Sequence, residues 1–98
     1  MGHRYEPIPR KGDKYEKAWG YELWIVNHDA YCGKLLVFNN AGDHFSMHYH
    51  MIKNETWYIQ EGAFQFDWID GEKAERCYTQ LQKGDIVRGV IVRKKKIN

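Results

Sequence analysis

Two histidines and a glutamate, His48, His50 and Glu55, are the residues of this chain whose types and spacing best suit chemistry. They lie between Gly42 and Gly62 in the pattern G-x5-H-x-H-x4-E-x6-G. Residues two apart in a β-strand point to the same face, so His48 and His50 project together, and Glu55 follows a short break into the next strand. Two imidazoles and a carboxylate on adjacent strands form a partial coordination shell for a divalent metal. The spacing therefore predicts a metal site.

Strand alternation leaves a second orientation open for the two histidines. If His48 and His50 face the interior, a regular strand also turns His44 and Ser46 inward, and His44 becomes a candidate fourth ligand. If the histidines face water, the intervening Met47, Tyr49 and Met51 face the core instead. The turn glycines and Glu55 favour the inward orientation. From Glu55 the same alternation predicts Trp57 and Ile59 inside and Tyr58 outside.

The elements that must position these residues are short strands. Apolar segments separated by turn residues recur from residue 19 onward, which is typical of an all-β sandwich or barrel. The predicted strands are 22–27, 33–38, 45–50, 56–60, 63–69, 76–81 and 86–92, with turns at 39–42, 61–62, 70–71 and 83–85. Residues 1–18 are polar, contain both prolines and are predicted to be an extended arm, so that 19–98 form a single β-barrel domain.

One predicted strand carries an aromatic face made of Phe64, Phe66 and Trp68. Alternation places these three side chains together and their neighbours Gln65 and Asp67 on the opposite face. The aromatic face is predicted to be barrel core. The alternative is that it forms one wall of a ligand pocket, since small-molecule sites are mostly apolar with a few polar groups.

Composition excludes several classes of function. The net charge of +2 gives no strong case for nucleic acid, and the basic run 93–96 is predicted to be a solvated tail. Cys32 and Cys77 are too few for a disulfide framework and are expected to be free thiols. No apolar run approaches the length of a membrane span, and the N-terminal residues lack the apolar stretch of a signal peptide. These features predict a soluble, cytoplasmic protein that binds neither nucleic acid nor membranes.

The glycine-framed pattern resembles the first signature motif of the cupin superfamily, with all five fixed positions in place. A more specific resemblance is carried by segments that occur in order: Trp19-Gly-Tyr-Glu22, Gly33-Lys34, Ser46-Met-His-Tyr-His50 and Lys53-Asn-Glu55-Thr-Trp57. They resemble the small single-domain cupins related to the isomerase domain of type II phosphomannose isomerases. The resemblance covers residues 17–62.

What the resemblance implies is a cupin-type jelly-roll β-barrel with His48, His50 and Glu55 as metal ligands. Zinc is the preferred metal, while iron, manganese and nickel also suit an imidazole and carboxylate donor set. Lys34 is implied as a contact to a phosphate or hydroxyl group of the ligand, which is expected to be a small molecule such as a sugar phosphate.

The sequence departs from the cupin pattern after residue 85. Lys83-Gly84-Asp85 opens the second cupin motif, but the residues that follow contain neither the proline nor the histidine that would complete the metal shell. The barrel is therefore expected to be shortened at its C-terminal end. Because an unfinished barrel exposes strand edges, a homodimer is expected to cover them, and an exchange of segments between its subunits is one way in which it could do so.

Three functions are compatible with this sequence. An aldose–ketose isomerase of sugars or sugar phosphates needs a metal and a base, for which Lys34 and Glu61 are candidates by residue type. An Fe(II)-dependent oxygenase uses two histidines and one carboxylate with open positions on the metal. A non-catalytic sugar-binding or vestigial cupin would follow from loss of the second-motif histidine.

Overall fold

The computed structural model describes residues 7–27, 30–46, 54–73 and 75–98. Every regular element in these ranges is a β-strand, so the predicted all-β class is confirmed, while no closed barrel is detected. Within the same ranges, no helix is long and apolar enough to cross a lipid bilayer. The chain divides into two compact units, Met1–Val37 and Phe38–Asn98.

The first unit is built around a three-stranded sheet in the order β1-β2-β3. Its strands are β1 (Asp13–Lys17), β2 (Gly20–Asn27) and β3 (Cys32–Phe38), the last of which ends at the first residue of the second unit. β1 and β2 form an antiparallel hairpin. Strand β1 lies within the segment predicted as an extended arm, and its five residues are all exposed. Because β1 buries no side chain, its sequence carries no apolar alternation by which a strand would be recognised.

The second unit contains the remaining six described strands, and it carries the candidate site. They are β4 (His44–Ser46), β5 (Glu55–Tyr58), β6 (Ala63–Ile69), β7 (Arg76–Gln82), β8 (Ile86–Gly89) and β9 (Ile91–Lys96). Four of them form a sheet in the order β4-β9-β6-β7, and β5 and β8 form a two-stranded sheet. All pairings of known register in this unit are antiparallel.

The core of the second unit contains the aromatic face predicted on β6. Phe66 is 3% exposed and clusters with Ile59, Leu81 and Ile91, while Phe64 and Trp68 pack against this cluster. The prediction that these three aromatic residues form core is confirmed. Burying a side chain the size of Phe66 contributes about 1.5–3 kcal/mol to folding, which makes this cluster a principal source of stability for the unit.

Gly62, the last fixed position of the glycine-framed pattern, is required by its backbone and its surroundings. Its φ of +81° lies in the left-handed region, which side chains other than glycine rarely adopt. A Cβ at this position would also come within 2.8 Å of the Asn98 carbonyl oxygen. The adjacent Ala63 N–H donates a hydrogen bond of 2.8 Å to the same oxygen, so the end of the chain is held against the start of β6.

The predicted single strand 86–92 is in fact two strands. β8 pairs with β5 and ends at Gly89, whereas β9 pairs with β4 and β6 and begins at Ile91. Between them, the Val90 carbonyl accepts a hydrogen bond of 3.1 Å from Ile69 N–H. The apolar run continues through the break because the chain passes directly from one sheet to the other, with no polar turn between the two strands.

The basic run 93–96, predicted to be a solvated tail, is incorporated into β9, and that prediction is wrong. Arg93, Lys95 and Lys96 are half-buried and Lys94 is buried. β9 lies between β4 and β6 in the sheet, so its side chains contact neighbours on both sides. Pairing with strands distant in sequence, rather than the local composition, decides how this segment is buried.

Candidate functional site

The antiparallel register of the four-stranded sheet aligns Phe45, Lys94 and Phe66 on one face. Lys94 of β9 is the Cα partner of Phe45 on β4 and of Phe66 on β6. Directly opposite residues of an antiparallel pair project to the same side, so these three side chains share the face that contains the core. We call this the inner face of the sheet.

Lys94 is a buried lysine surrounded by aromatic rings. It is 2% exposed, and its Nζ lies 4.3 Å from the centroid of Trp57 and 4.9 Å from that of Phe45. An ammonium group at such distances is attracted by the negative faces of the rings, more strongly where water is excluded. The two aromatic residues therefore provide favourable surroundings for a charge that is otherwise costly to bury.

Glu55 supplies the negative charge next to Lys94. Its Oε2 lies 3.9 Å from Lys94 Nζ and accepts a hydrogen bond of 3.1 Å from Trp57 Nε1. The Glu55 side chain is 26% exposed, so it lies between the interior and solvent. We call Phe45, Glu55, Trp57 and Lys94 the Glu55–Lys94 site.

Strand β5 orients this carboxylate in the way that alternation predicts. Trp57 packs against the core. Ile59, which lies just beyond the end of β5, is 5% exposed, whereas Tyr58 is exposed. The predicted inward placement of Trp57 and Ile59, and the outward placement of Tyr58, are confirmed. The Trp57 ring also meets Phe66 edge to face, with centroids 5.7 Å apart, which fixes the indole that donates to Glu55.

An apolar cavity of about 220 Å³ lies on the same side of the sheet. Its walls come from four strands, β6 to β9: Phe66, Trp68, Thr79, Leu81, Val87, Arg88, Gly89 and Ile91. Phe66 and Trp68 therefore line a cavity as well as forming core, while the alternative that the aromatic face is one wall of a ligand pocket stays a prediction. The polar members of the lining include Thr79, which accepts a hydrogen bond of 3.0 Å from Trp68 Nε1.

The opposite face of the sheet holds a different charge cluster, centred on Asp67. This buried carboxylate accepts hydrogen bonds from Arg76 Nη2 at 2.8 Å and Gln65 Nε2 at 3.2 Å, and Arg93 Nη1 lies 3.9 Å away. Burial raises the pKa of Asp67, but the hydrogen bonds from Gln65 and Arg76 and the charges of Arg76 and Arg93 outweigh it, so the net pKa is lowered. Asp67 is therefore held as a carboxylate by groups that contact it directly.

The structure locates some of the predicted site residues and not others. Glu55 lies at the inner face, whereas His48 and His50 lie outside the described residues. His44 is exposed and is the Cα partner of Lys95, one position from the inward Phe45. Among the described residues, no three His, Cys, Asp or Glu side chains come together as a metal site.

The two candidates for a catalytic base lie next to an aromatic ring and a lysine, respectively. Lys34 is exposed on β3, with its Nζ 4.1 Å from the Trp24 ring centroid. Glu61 is 80% exposed and forms an ion pair of 3.0 Å with Lys83. Their roles as bases stay predictions.

Lys94 is the residue of this site that sequence reasoning missed. Lysine in a basic run is far more often solvated than buried, so its residue type gave no signal. The available signal was indirect: an inward glutamate on a mostly apolar face requires a partner for its charge.

No family model, curated protein or solved structure matches this chain.

Proposed function

We propose that this chain is a divalent-metal-binding protein of the cupin type, with His48, His50 and Glu55 as ligands and zinc as the preferred metal. Its proposed reaction class is isomerisation of a sugar or sugar phosphate. The observation that carries the proposal is the placement of Glu55, whose carboxylate lies at the inner face with one oxygen fixed by Trp57 Nε1.

The pairing of strands in the second unit supports a jelly roll. β6 pairs with β7, β5 with β8, and β4 with β9, so the three pairs are nested one outside another in sequence. Nested antiparallel pairs arise when one long hairpin folds over on itself to form a Greek key. A jelly roll contains two Greek keys. This nesting agrees with the fold that the cupin resemblance implies.

The residues around Glu55 suit a metal ligand in one respect and oppose it in another. Metal-ligating carboxylates are usually oriented by a hydrogen bond from a neighbouring group, and Trp57 fills that role for Glu55. The Lys94 ammonium, however, lies 3.9 Å from the same oxygen. The proposal also requires one departure from strict alternation between Ser46 and His48, because Phe45 shares the face of Lys94.

When bound, the metal would polarise the neighbouring carbonyl and hydroxyl oxygens of a sugar. The proposed roles of the chain's own residues are to hold the sugar and to limit its contact with water. Trp57 keeps the Glu55 carboxylate in one orientation. The apolar cavity beside Phe66 offers a partly enclosed space on the same side of the sheet. Glu61, which belongs to the same unit, is proposed as the group that transfers the proton.

A non-catalytic binding protein is the second candidate, and Lys94 is the observation that favours it. A buried ammonium next to Glu55 supplies positive charge at the inner face without a metal. Such a site would bind a sugar or another small polar molecule without turning it over.

Metal content tests the first proposal. Purified protein loaded with Zn²⁺ and then desalted is expected to retain about one metal per chain, and the His48→Ala/His50→Ala variant none. Elemental analysis is paired with the molecular mass in solution, which tests the proposed homodimer. His44→Ala serves as a matched histidine variant: unchanged retention excludes His44 as a fourth ligand.

The absence of retained metal in the wild type would overturn the metal site and leave the binding protein as the better account. If metal is retained, conversion of mannose 6-phosphate is the first assay for isomerase activity. Retention of metal without conversion of any sugar or sugar phosphate tested would overturn the proposed isomerase activity but uphold the metal site.

A further inference from the structure

We propose that Lys94 is a resident counter-cation for Glu55, which balances the charge of that carboxylate in the absence of metal and competes with a divalent ion for it. The competition rests on the proposed metal site, whereas the pairing of Lys94 with Glu55 does not. Lys94 would thereby set the metal affinity of the proposed site.

The burial of Lys94 is the first step. A lysine that is 2% exposed has lost nearly all of its contact with water, and such a charge is retained only where other groups compensate it. Trp57 and Phe45 compensate part of the loss through their ring faces. The Glu55 carboxylate, 3.9 Å away, provides the opposite charge.

The geometry of the pair is the second step. A separation of 3.9 Å exceeds the 2.7–3.2 Å of an ordinary hydrogen bond, so the attraction between Lys94 and Glu55 is coulombic. The hydrogen bond to Oε2 comes from Trp57 instead. Glu55 is thus oriented by one residue and neutralised by another, and replacement of the ammonium by a metal need not disturb the orienting bond.

Competition is the third step. A divalent ion bound to Glu55 would lie close to the Lys94 ammonium, and like charges within a few ångströms in a water-poor site oppose each other. Metal binding therefore has to overcome that repulsion or displace the ammonium. Removal of the Lys94 charge should strengthen metal binding.

A thermal double-mutant cycle in the presence of chelator tests the pairing without metal. Glu55→Gln leaves the Lys94 charge without its carboxylate and is expected to lower the melting temperature by roughly 5–10 °C. The Glu55→Gln/Lys94→Met variant is expected to recover at least half of that loss, because both charges are removed and Met keeps the apolar stem. Lys95→Met, on the opposite face of the same strand, is the matched control and should show no coupling to Glu55→Gln.

Zn²⁺ titration tests the competition. Lys94→Met is expected to bind Zn²⁺ at least tenfold more tightly than the wild type, while Lys95→Met stays within about twofold. A purely structural role for Lys94 predicts weaker or unchanged binding, since damage to the site does not improve affinity.

The outcomes separate the two proposals. Melting temperatures that are additive in the chelator experiment would overturn the pairing, whatever the metal data show. Coupling without Zn²⁺ binding in any variant would overturn the metal site and the competition but uphold the counter-cation. Coupling with equal Zn²⁺ affinity in wild type and Lys94→Met would overturn the competition alone.

Discussion

Glu55 and Asp67 are two carboxylates on different faces of the same unit, and their partners differ in kind. Asp67 is bound directly by Arg76 and Gln65, with Arg93 nearby. Glu55 has a direct hydrogen bond from Trp57, and the ammonium of Lys94 stands at 3.9 Å. Asp67 is held by groups on its own sheet, whereas Glu55 faces an aromatic interior.

This difference agrees with the proposal that Asp67 belongs to a structural charge cluster and Glu55 to a site that binds a metal or another ligand. Two guanidinium groups and an amide arranged around Asp67 leave little reason for a ligand to displace them. The Glu55 carboxylate is oriented by Trp57, and the ammonium of Lys94 is too distant for a direct hydrogen bond to it. Loose pairing at an oriented carboxylate is the property that a metal or ligand site needs.

The largest effect is expected from the apolar support of the inner face. Phe66→Ala should lower the free energy of unfolding by about 4 kcal/mol, because it removes the ring that packs against Trp57 and the core cluster. Tyr78→Ala is the matched change on the outer face, where the ring is 70% exposed, and should cost less than about 0.5 kcal/mol. Urea denaturation measures both, and similar costs would contradict the assignment of the two faces.

The next effect concerns the single donor that orients Glu55. Trp57→Phe keeps an aromatic ring beside Lys94 but removes the N–H that donates to Glu55 Oε2, so Zn²⁺ affinity should fall roughly 10–100-fold. Trp68→Phe removes a comparable N–H bond, to Thr79, and should leave the affinity unchanged. Calorimetric titration compares the two variants, and an equal fall in both would show that the indole bond to Glu55 is not the cause.

A smaller effect is expected at the outer carboxylate, and it depends on pH. The pKa of Asp67 is lowered by folding, so its contribution to stability is present above the unfolded pKa of about 3.9 and is lost as the pH falls through the folded pKa. Asp67→Asn should therefore cost about 1.5 kcal/mol at neutral pH, and the two proteins should converge in stability in acid. A difference that is independent of pH would show that the charge of Asp67 does not stabilise the fold.

The fold was predictable where local signals were strong. Alternating apolar residues and turn glycines located strands β5, β6 and β7 to within two residues at either end. The break at Val90 was not predictable in the same way, because the apolar run continues across it and only the pairing partners change.

The candidate site shows the same division between local and distant information. The inward placement of Glu55 and Trp57 follows from alternation on one strand. The burial of Lys94 depends on its register with Phe45 and Phe66, which lie about 50 and 30 residues earlier in the chain. A basic run contains no information about which of its members such distant pairing will bury.

The absorption spectrum of bound Co²⁺, compared between the wild type and Glu55→Gln, tests the central claim most directly. Co²⁺ replaces Zn²⁺ in imidazole and carboxylate sites, and its visible bands report the number and type of its ligands. We expect intense bands typical of four or five ligands in the wild type, saturating near one ion per chain, and weaker or shifted bands in Glu55→Gln. A wild-type spectrum equal to that of Co²⁺ in water, or one that Glu55→Gln leaves unchanged, would contradict the role of Glu55 as a metal ligand.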